Sequence, residues 1–248
     1  MWNPPITRRG LHLGLLTGLV MRVAPTPRAE PTPRASPAQE GQAGAAPGAS
    51  ASDAARWDRV FGRAEPVYRL DANEFLGRTL ARMKRERLVA PGNAALDLAM
   101  GDGRNALLLA ENGLDVTGLD ISRVALEKAR AIAAEKKLSL HALEQDLFTY
   151  DYGEAKWDLI TVIYFNPAVQ IFDRLKSAVK PGGLIVIEGQ GSEHLGDGPP
   201  PATRFRPNQL VSVFGDWRIL DYEDGLFECD WALGPPTHVV RLMARKPR

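Results

Sequence analysis

The stretch ALDLAMGDGRNALLLAENGLDVTGLDIS, residues 95–122, constrains the fold more than any other part of the chain. An apolar run ends at Met100 and gives way to Gly101-Asp102-Gly103. An apolar segment of helical length follows and stops at Gly113, and a second apolar run ends on Asp120. Continuous apolar strands joined through a helix belong to a parallel sheet covered on both faces. Ligands of such sheets sit beyond the carboxyl ends of the strands. Gly101 and Gly103 stand at that end of the first strand. Glycine there lets the chain turn sharply and lets a ligand lie against main-chain N–H groups.

The alternation continues through most of the chain. ARWDRVFGRAEPVY reads as a short helix and a turn at Pro66. DANEFLGRTLARMKRERLVAPG reads as a helix capped by Asp71 or Asn73, with Phe75, Leu76, Leu80 and Met83 at helical spacing and Pro91-Gly92 as its stop. SRVALEKARAIAAEKK is a helix capped by Ser122. LSLHALEQD holds an apolar third strand, in which His141 is expected to be structural. WDLITVIYF is a fourth strand, PAVQIFDRLKSAVKPGG a helix with Pro167 near its start, and LIVIEG a fifth strand. A Gly/Pro-rich loop from about Gln190 to Pro207 leads to a short helix, PNQLVSVFG, and to two last strands, WRILDYE and HVVRLMARKP. No crossover helix joins those two, so an antiparallel pair is expected. The fold class is therefore α/β: a Rossmann-like, doubly wound, mainly parallel seven-stranded sheet with an antiparallel C-terminal strand pair.

The chain of 248 residues is long enough to bury one sizeable core. We expect the folded domain over residues 54–248. Residues 30–53, rich in Pro, Ala, Gly and Ser, read as a disordered linker. Residues 1–29 read as a leader, with Arg8-Arg9 ahead of an apolar run from Leu11 to Met21. Two readings stand: a twin-arginine-like export signal, or a non-structural leader translated from an upstream start codon. The protein is accordingly expected to be cytoplasmic or exported. The apolar run is too short for a stable membrane span. A net charge of +1, with no basic patch interleaved with aromatics, argues against a nucleic-acid partner. The single cysteine, Cys229, is expected to be a small buried apolar residue, and the absence of a Cys/His cluster leaves no expected metal site.

The chemistry concentrates on three carboxylates. Asp120, ending the second strand, can accept hydrogen bonds from the vicinal hydroxyls of a ribose. Asp97, inside the first strand, would repel a pyrophosphate and attract a free amino group. Asp146 follows the third strand in EQDLF, placed to accept from an exocyclic adenine amine, with Leu147 beside the ring. These features favour a nucleoside cofactor with an amino group over NAD. GDGRNA nevertheless fits a G-x-G-x-x-A dinucleotide pattern, which keeps an NAD-dependent oxidoreductase as an alternative. A non-catalytic binding protein that retains the cofactor fold is another.

Taken in order, ALDLAMGDGRNA, VTGLDIS, EQDLF, WDLITVIYF and AVKPGGLIVIEG resemble the motifs of a class I S-adenosylmethionine-dependent methyltransferase, over about Trp57 to Pro247. GRNALLLAENG and FGDWRILDYED look most like the small-molecule group related to tellurite-resistance and thiol methyltransferases. WDRVFGRAEPVYRLDANEFL resembles that group's N-terminal cap over the cofactor. The resemblance implies S-adenosyl-L-methionine as cofactor and methyl transfer to a small-molecule acceptor: a thiol, a chalcogen oxyanion or similar. It implies that Asp97 faces the methionine amino group, that Ala99, Gly101 and Gly103 line the methionine and ribose, and that Asn105 stands beside them next to Arg104. It further implies that Asp120 holds the ribose hydroxyls, Ile121 packs on adenine, Asp146 and Leu147 recognise the adenine edge, and Tyr164 sits near the methyl group or serves as a packing aromatic. One departure is Ala99, which replaces the first glycine of the family pattern; it fits if its φ stays negative. Candidates for work on the acceptor are His194, as a base or an exposed loop residue, and Glu188, as a substrate contact or a strand-end hydrogen-bonding residue. Arg204 and Arg206 attract an anionic substrate or solvate the loop. A soft nucleophile would need no general base.

Overall fold

The computed structural model describes residues 51–64, 69–194, 201–230 and 236–248. The element order is α1 (Ala51–Phe61), α2 (Glu74–Arg85), β1 (Ala94–Leu98), α3 (Arg104–Glu111), β2 (Asp115–Asp120), α4 (Arg123–Glu135), β3 (Leu140–Glu144), β4 (Trp157–Ile163), α5 (Phe172–Ala178), β5 (Val179–Gln190), α6 (Gln209–Val213), β6 (Arg218–Phe227) and β7 (Thr237–Arg245). The strands form one seven-stranded sheet in the order β3-β2-β1-β4-β5-β7-β6. Strands β1 to β5 pair in parallel, while β7 runs antiparallel to both β5 and β6. The fold is thus the Rossmann-like sheet expected, with its antiparallel pair at the C-terminal end.

Period-2 alternation sorts the strand side chains onto two faces. Leu96, Leu98, Ile160, Val162, Ile185 and Ile187 pack towards α5, α6 and Trp217. Ala95, Leu159, Leu184, Val186 and Met243 pack towards α2, α3 and α4. The polar residues interleaved in this second set, Asp97, Thr161, Glu188 and Arg241, therefore emerge on the face covered by α2 and α3. This face carries the site.

Two caps fix the helices of that layer. Asn73 Oδ1 accepts from the Leu76 amide at 2.8 Å, and Ser122 Oγ accepts from the Ala125 amide at 3.2 Å. Helix α1 docks on the start of α4, where Asp58 accepts from Ser122 Oγ at 2.6 Å and from the Val124 amide at 3.2 Å.

Several expectations are corrected. Helix α1 begins at Ala51, so residues 51–53 of the expected linker are helical. The leader over 1–29, the rest of the linker to residue 50, and the turn at Pro66 lie outside the described residues. The helix expected from Pro167 starts as a 3-10 turn, Asn166–Gln170, before α5. The fifth strand starts at Val179 rather than near Leu184. His141 is exposed and lies 3.5 Å from Asp115. Strand β3 is the sheet edge, with only Ala142 buried, so its apolar pattern does not make it a core strand. Cys229 is buried, as expected. Among the described residues no helix is long and apolar enough to cross a membrane, and no cluster of His, Cys, Asp and Glu could hold a metal ion.

Candidate active site

The turn after β1 is built from three consecutive alternate positions with positive φ: Ala99 at 52°, Gly101 at 57° and Gly103 at 87°. The expected negative φ of Ala99 is therefore overturned: the residue occupies the left-handed region that favours glycine. Gly101 is pressed against α1, where an added Cβ would meet Phe61 Cζ at 2.8 Å. At Gly103 an added Cβ would meet the Ala129 Cβ at 2.9 Å. The turn can approach α1 and α4 this closely only without side chains at those two positions.

Asp120 closes the turn from the side. Its Oδ2 accepts from the Gly101 amide at 2.8 Å and its Oδ1 from the Ser122 amide at 2.8 Å. Burial pushes its carboxyl above the usual range, against the pull of these bonds. The Gln145 amide donates to the Asp120 carbonyl at 2.9 Å, which draws the segment after β3 to the same strand end. There Asp146 Oδ1 accepts from the Phe148 amide at 2.9 Å, Leu147 is buried, and Ile121 is half-buried.

Asp97 is fully buried below the turn. Thr161 Oγ1 donates to its Oδ1 at 2.6 Å. Its Oδ2 is buried with no hydrogen-bond partner among the described residues. Burial raises its pKa from 3.8 to about 7, outweighing the Thr161 hydrogen bond, the field of Arg104 and the pull of the Ala106 amide, with Asp120 adding to the rise. A buried carboxylate oxygen with no donor is costly, and a donor bearing positive charge would satisfy it best.

Beside it lies a polar cluster centred on Glu188. Its Oε1 accepts from the Tyr164 hydroxyl and, at 3.0 Å, from Asn73 Nδ2. Its Oε2 accepts from Arg241 Nε at 2.8 Å. Arg241 also donates to Glu223 at 3.0 Å and lies over the Phe227 ring, 4.3 Å from its centroid, and 5.7 Å from that of Phe75. Asn73 Nδ2 reaches Asp230 at 2.8 Å, and Arg104 donates to the other oxygen of Asp230 at 3.0 Å. The Asn73 amide donates to Asn105 Oδ1 at 2.9 Å, which joins α2 to α3. Burial, then the neighbouring Glu188, pushes the Tyr164 hydroxyl far up, so it stays protonated. Burial also raises Glu188, although Arg241 pulls the other way.

Residues 95–183 match the family profile of the methyltransferase domain. Over this stretch the chain is similar to that family. The chain is 29% identical over 163 residues to hemagglutinin 1 of Eikenella corrodens, covering 61% of this chain and 54% of that one. It is 31% identical over 105 residues to an uncharacterised methyltransferase of Synechocystis, covering 40% of this chain and 48% of the relative. The chain thus spans about half the length of the curated relatives it matches. Among solved structures, TehB from Haemophilus influenzae superposes with a TM-score of 0.57 at 22% identity, over 68% of this chain and 62% of that one. At that identity the likeness speaks for the fold.

The fold brings Ala99, Gly101 and Gly103 into one turn, with Asp97 below it and Asp120 hydrogen-bonded to it, and Tyr164 and Glu188 into one hydrogen bond. His194 is placed differently from its expected position in an open loop. It is buried, its Nδ1 lies 2.9 Å from Thr237 Oγ1, and its carbonyl accepts from Arg204 at 2.6 Å. Arg204 is thereby tied to the fold, whereas Arg206 is exposed. Sequence reasoning missed Asn73 as more than a cap, and missed Thr161, Asp230 and Arg241 altogether. A polar residue inside an apolar strand was the available signal for Thr161 and Arg241, as it was for Asp97.

Proposed function

We propose that this chain transfers a methyl group from S-adenosylmethionine to a small-molecule acceptor, a thiol, a chalcogen oxyanion or a similar nucleophile. The observation that carries the reading is the orphaned Asp97 Oδ2 beside the glycine turn, which fits an ammonium group. The residues present suit this cofactor. Asp97 would hold the amino group of its methionine part, with Ala99, Gly101, Gly103 and Asn105 along its path. Each Asp120 oxygen accepts a backbone amide, the Ile121 amide also bears on the carboxylate, and a remaining lone pair would serve a ribose hydroxyl. Ile121, Asp146 and Leu147 would border the adenine.

When bound, the cofactor supplies an activated methyl on a sulfonium, open to in-line displacement. The chain's own task is then to align and to exclude water, and positioning alone is worth roughly 7–11 kcal/mol. Tyr164 acts as a donor and not as a base, because its hydroxyl keeps its proton. The sheet order weighs against an NAD-dependent oxidoreductase, since an antiparallel β7 stands where a dinucleotide fold continues in parallel. A non-catalytic binding role is the second reading, carried by the relative named as a hemagglutinin. The twin-arginine-like Arg8-Arg9 leader makes export the companion proposal to a cytoplasmic location, and the N-terminal residue of the mature protein decides between them.

The test is calorimetric titration with S-adenosylmethionine, S-adenosylhomocysteine and NAD in parallel. Binding of the first two and not of NAD is expected. Binding of NAD alone would overturn the reading. Tight binding of S-adenosylmethionine with no methyl transferred to any nucleophile offered would favour the non-catalytic role.

A further inference from the structure

We propose that Gln190 recognises the methyl acceptor: its side-chain Oε1 accepts a hydrogen bond from an O–H or N–H that the acceptor carries beside its nucleophile. The inference rests on the methyl-transfer reading and narrows its acceptor class. Gln190 is 3% exposed, and its Oε1 has no hydrogen-bond partner among the described residues. A buried oxygen without a donor destabilises the fold until a ligand supplies one. Among the described residues one other buried side-chain oxygen is in this state, Asp97 Oδ2. The main chain of Gln190 is satisfied. Its amide donates to Asn166 Oδ1 at 3.2 Å, and its carbonyl accepts from Asn166 Nδ2 at 2.8 Å and from the Phe205 amide at 3.0 Å. The backbone is thus fixed while the side-chain oxygen is left unpaired.

The strand register puts this oxygen on the acceptor's side of the site. Residues Leu184 to Gln190 pair with β7 without a break, so Glu188 and Gln190 share the face covered by α2 and α3. Gly189 faces the other way, where an added Cβ would meet Asn166 and Phe205. Gln190 stands one step beyond the Tyr164–Glu188 hydrogen bond, towards the strand ends where ligands of parallel sheets bind. Asp97 is level with Thr161, and Thr161 with Val186. Gln190 therefore lies about 10 Å across and about 13 Å along the sheet from Asp97, too far for one ammonium to serve both. The cofactor's donors are its amino group, its ribose hydroxyls and its adenine amine. The first goes to Asp97, and the others lie towards Asp120 and Asp146, across β1 from β5. Its carboxylate accepts hydrogen bonds and donates none. The donor for Gln190 therefore comes from the second substrate. A carboxamide takes up no proton, so it recognises a group beside the nucleophile rather than activating the nucleophile itself.

The experiment uses the full chain. Titration with S-adenosylhomocysteine first reports whether the cofactor reading stands; no binding would overturn that reading and this inference with it. Thiol acceptors are then compared in pairs that exchange a hydroxyl for a methyl group: mercaptoethanol with propanethiol, mercaptobutanol with pentanethiol, and mercaptohexanol with heptanethiol. A thiol is a weak donor, so the hydroxyl is the probe. In at least one pair kcat/KM is expected to favour the hydroxyl compound by at least about tenfold, and Gln190→Met to remove that preference. Equal use within every pair, or a preference that survives in Gln190→Met, overturns the inference while S-adenosylhomocysteine still binds. Where no thiol is methylated, the same pairs are titrated into the S-adenosylhomocysteine complex, and the same preference in binding is required. Gln190→Met also has a readout without any acceptor. It keeps the side chain's shape and removes the unpaired oxygen, so the ligand-free variant is expected to unfold at a higher urea concentration. A lower midpoint would mean that the fold itself satisfies Gln190 and would overturn the inference.

Discussion

The Thr161 hydroxyl donates to Asp97 Oδ1 at 2.6 Å, and the opposite oxygen of the same carboxylate is buried without a donor. This half-satisfied group makes the ligand-free protein sensitive to pH. Burial holds its pKa at about 7, against an ordinary 3.8. A raised carboxyl pKa means that the folded chain binds the proton better than the unfolded one. The stability from this group is thus complete below about 3.8 and is lost as pH rises through about 7. An ammonium ligand reverses the preference, because it needs the ionised form. Affinity for S-adenosylhomocysteine is expected to fall about tenfold per pH unit below 7, and Asp97→Asn to remove both the affinity and its slope. Calorimetry across about pH 5 to 8 measures this directly, and a pH-independent affinity in the unchanged protein would exclude Asp97 as the ammonium partner.

Ala99 is strained by its own backbone. With φ at 52° its Cβ crowds the following carbonyl, which costs roughly 1–2 kcal/mol. Glycine would relieve this at the expense of about 0.4–1 kcal/mol of unfolded-chain entropy. Ala99→Gly is expected to raise the melting temperature by about 2–4 °C per kcal/mol recovered and to leave cofactor affinity intact or improved. Ala99→Val should lower it, since a β-branched residue tolerates positive φ worse. Thermal melts of the three proteins check the order Gly, Ala, Val. A Gly variant less stable than the unchanged chain would show that the alanine methyl contributes more by packing than its backbone loses.

The sequence announced the glycine turn, the strand–helix alternation and the carboxylates at Asp97 and Asp120 because each is a local signal. A carboxylate inside an apolar strand, or at the end of one, stands out without knowledge of its neighbours. The antiparallel end of the sheet was legible for the same reason, since no helix-length segment separates the last two strands. What stayed hidden depends on position in the sheet or on partners far along the chain. His141 looked like a core residue because the pattern of β3 does not say that β3 is an edge. Asn73 looked only like a cap because its other partners, Glu188 and Asp230, lie 115 and 157 residues away. The sign of φ at Ala99 was misjudged because alanine carries no mark of the left-handed region. The next residue is tied to β2 by the hydrogen bond from the Met100 amide to the Leu119 carbonyl at 3.0 Å, and Phe61 packs on Gly101.

The Glu188–Arg241 pair tests how the cluster is held. The Glu188 side chain has no exposed surface and that of Arg241 is 8% exposed, so the pair is desolvated. Removing one member of such a pair strands the other, at about 3–5 kcal/mol. The two members are not equivalent here. Glu188→Met leaves Arg241 with Glu223 at 3.0 Å, so the lower end of the range is expected. Arg241→Met leaves Glu188 with only the neutral donors Tyr164 and Asn73. The carboxyl, already raised by burial, rises further, and this variant loses stability as pH climbs because ionisation is then opposed in the folded state alone. The double substitution removes both charges and is expected to be less damaging than the sum of the singles, by about 0.5–3 kcal/mol. Urea unfolding of the four proteins at two pH values measures the cycle. Additive losses with no difference in pH dependence would mean that the pair contributes no coupling and that Glu223 alone anchors Arg241.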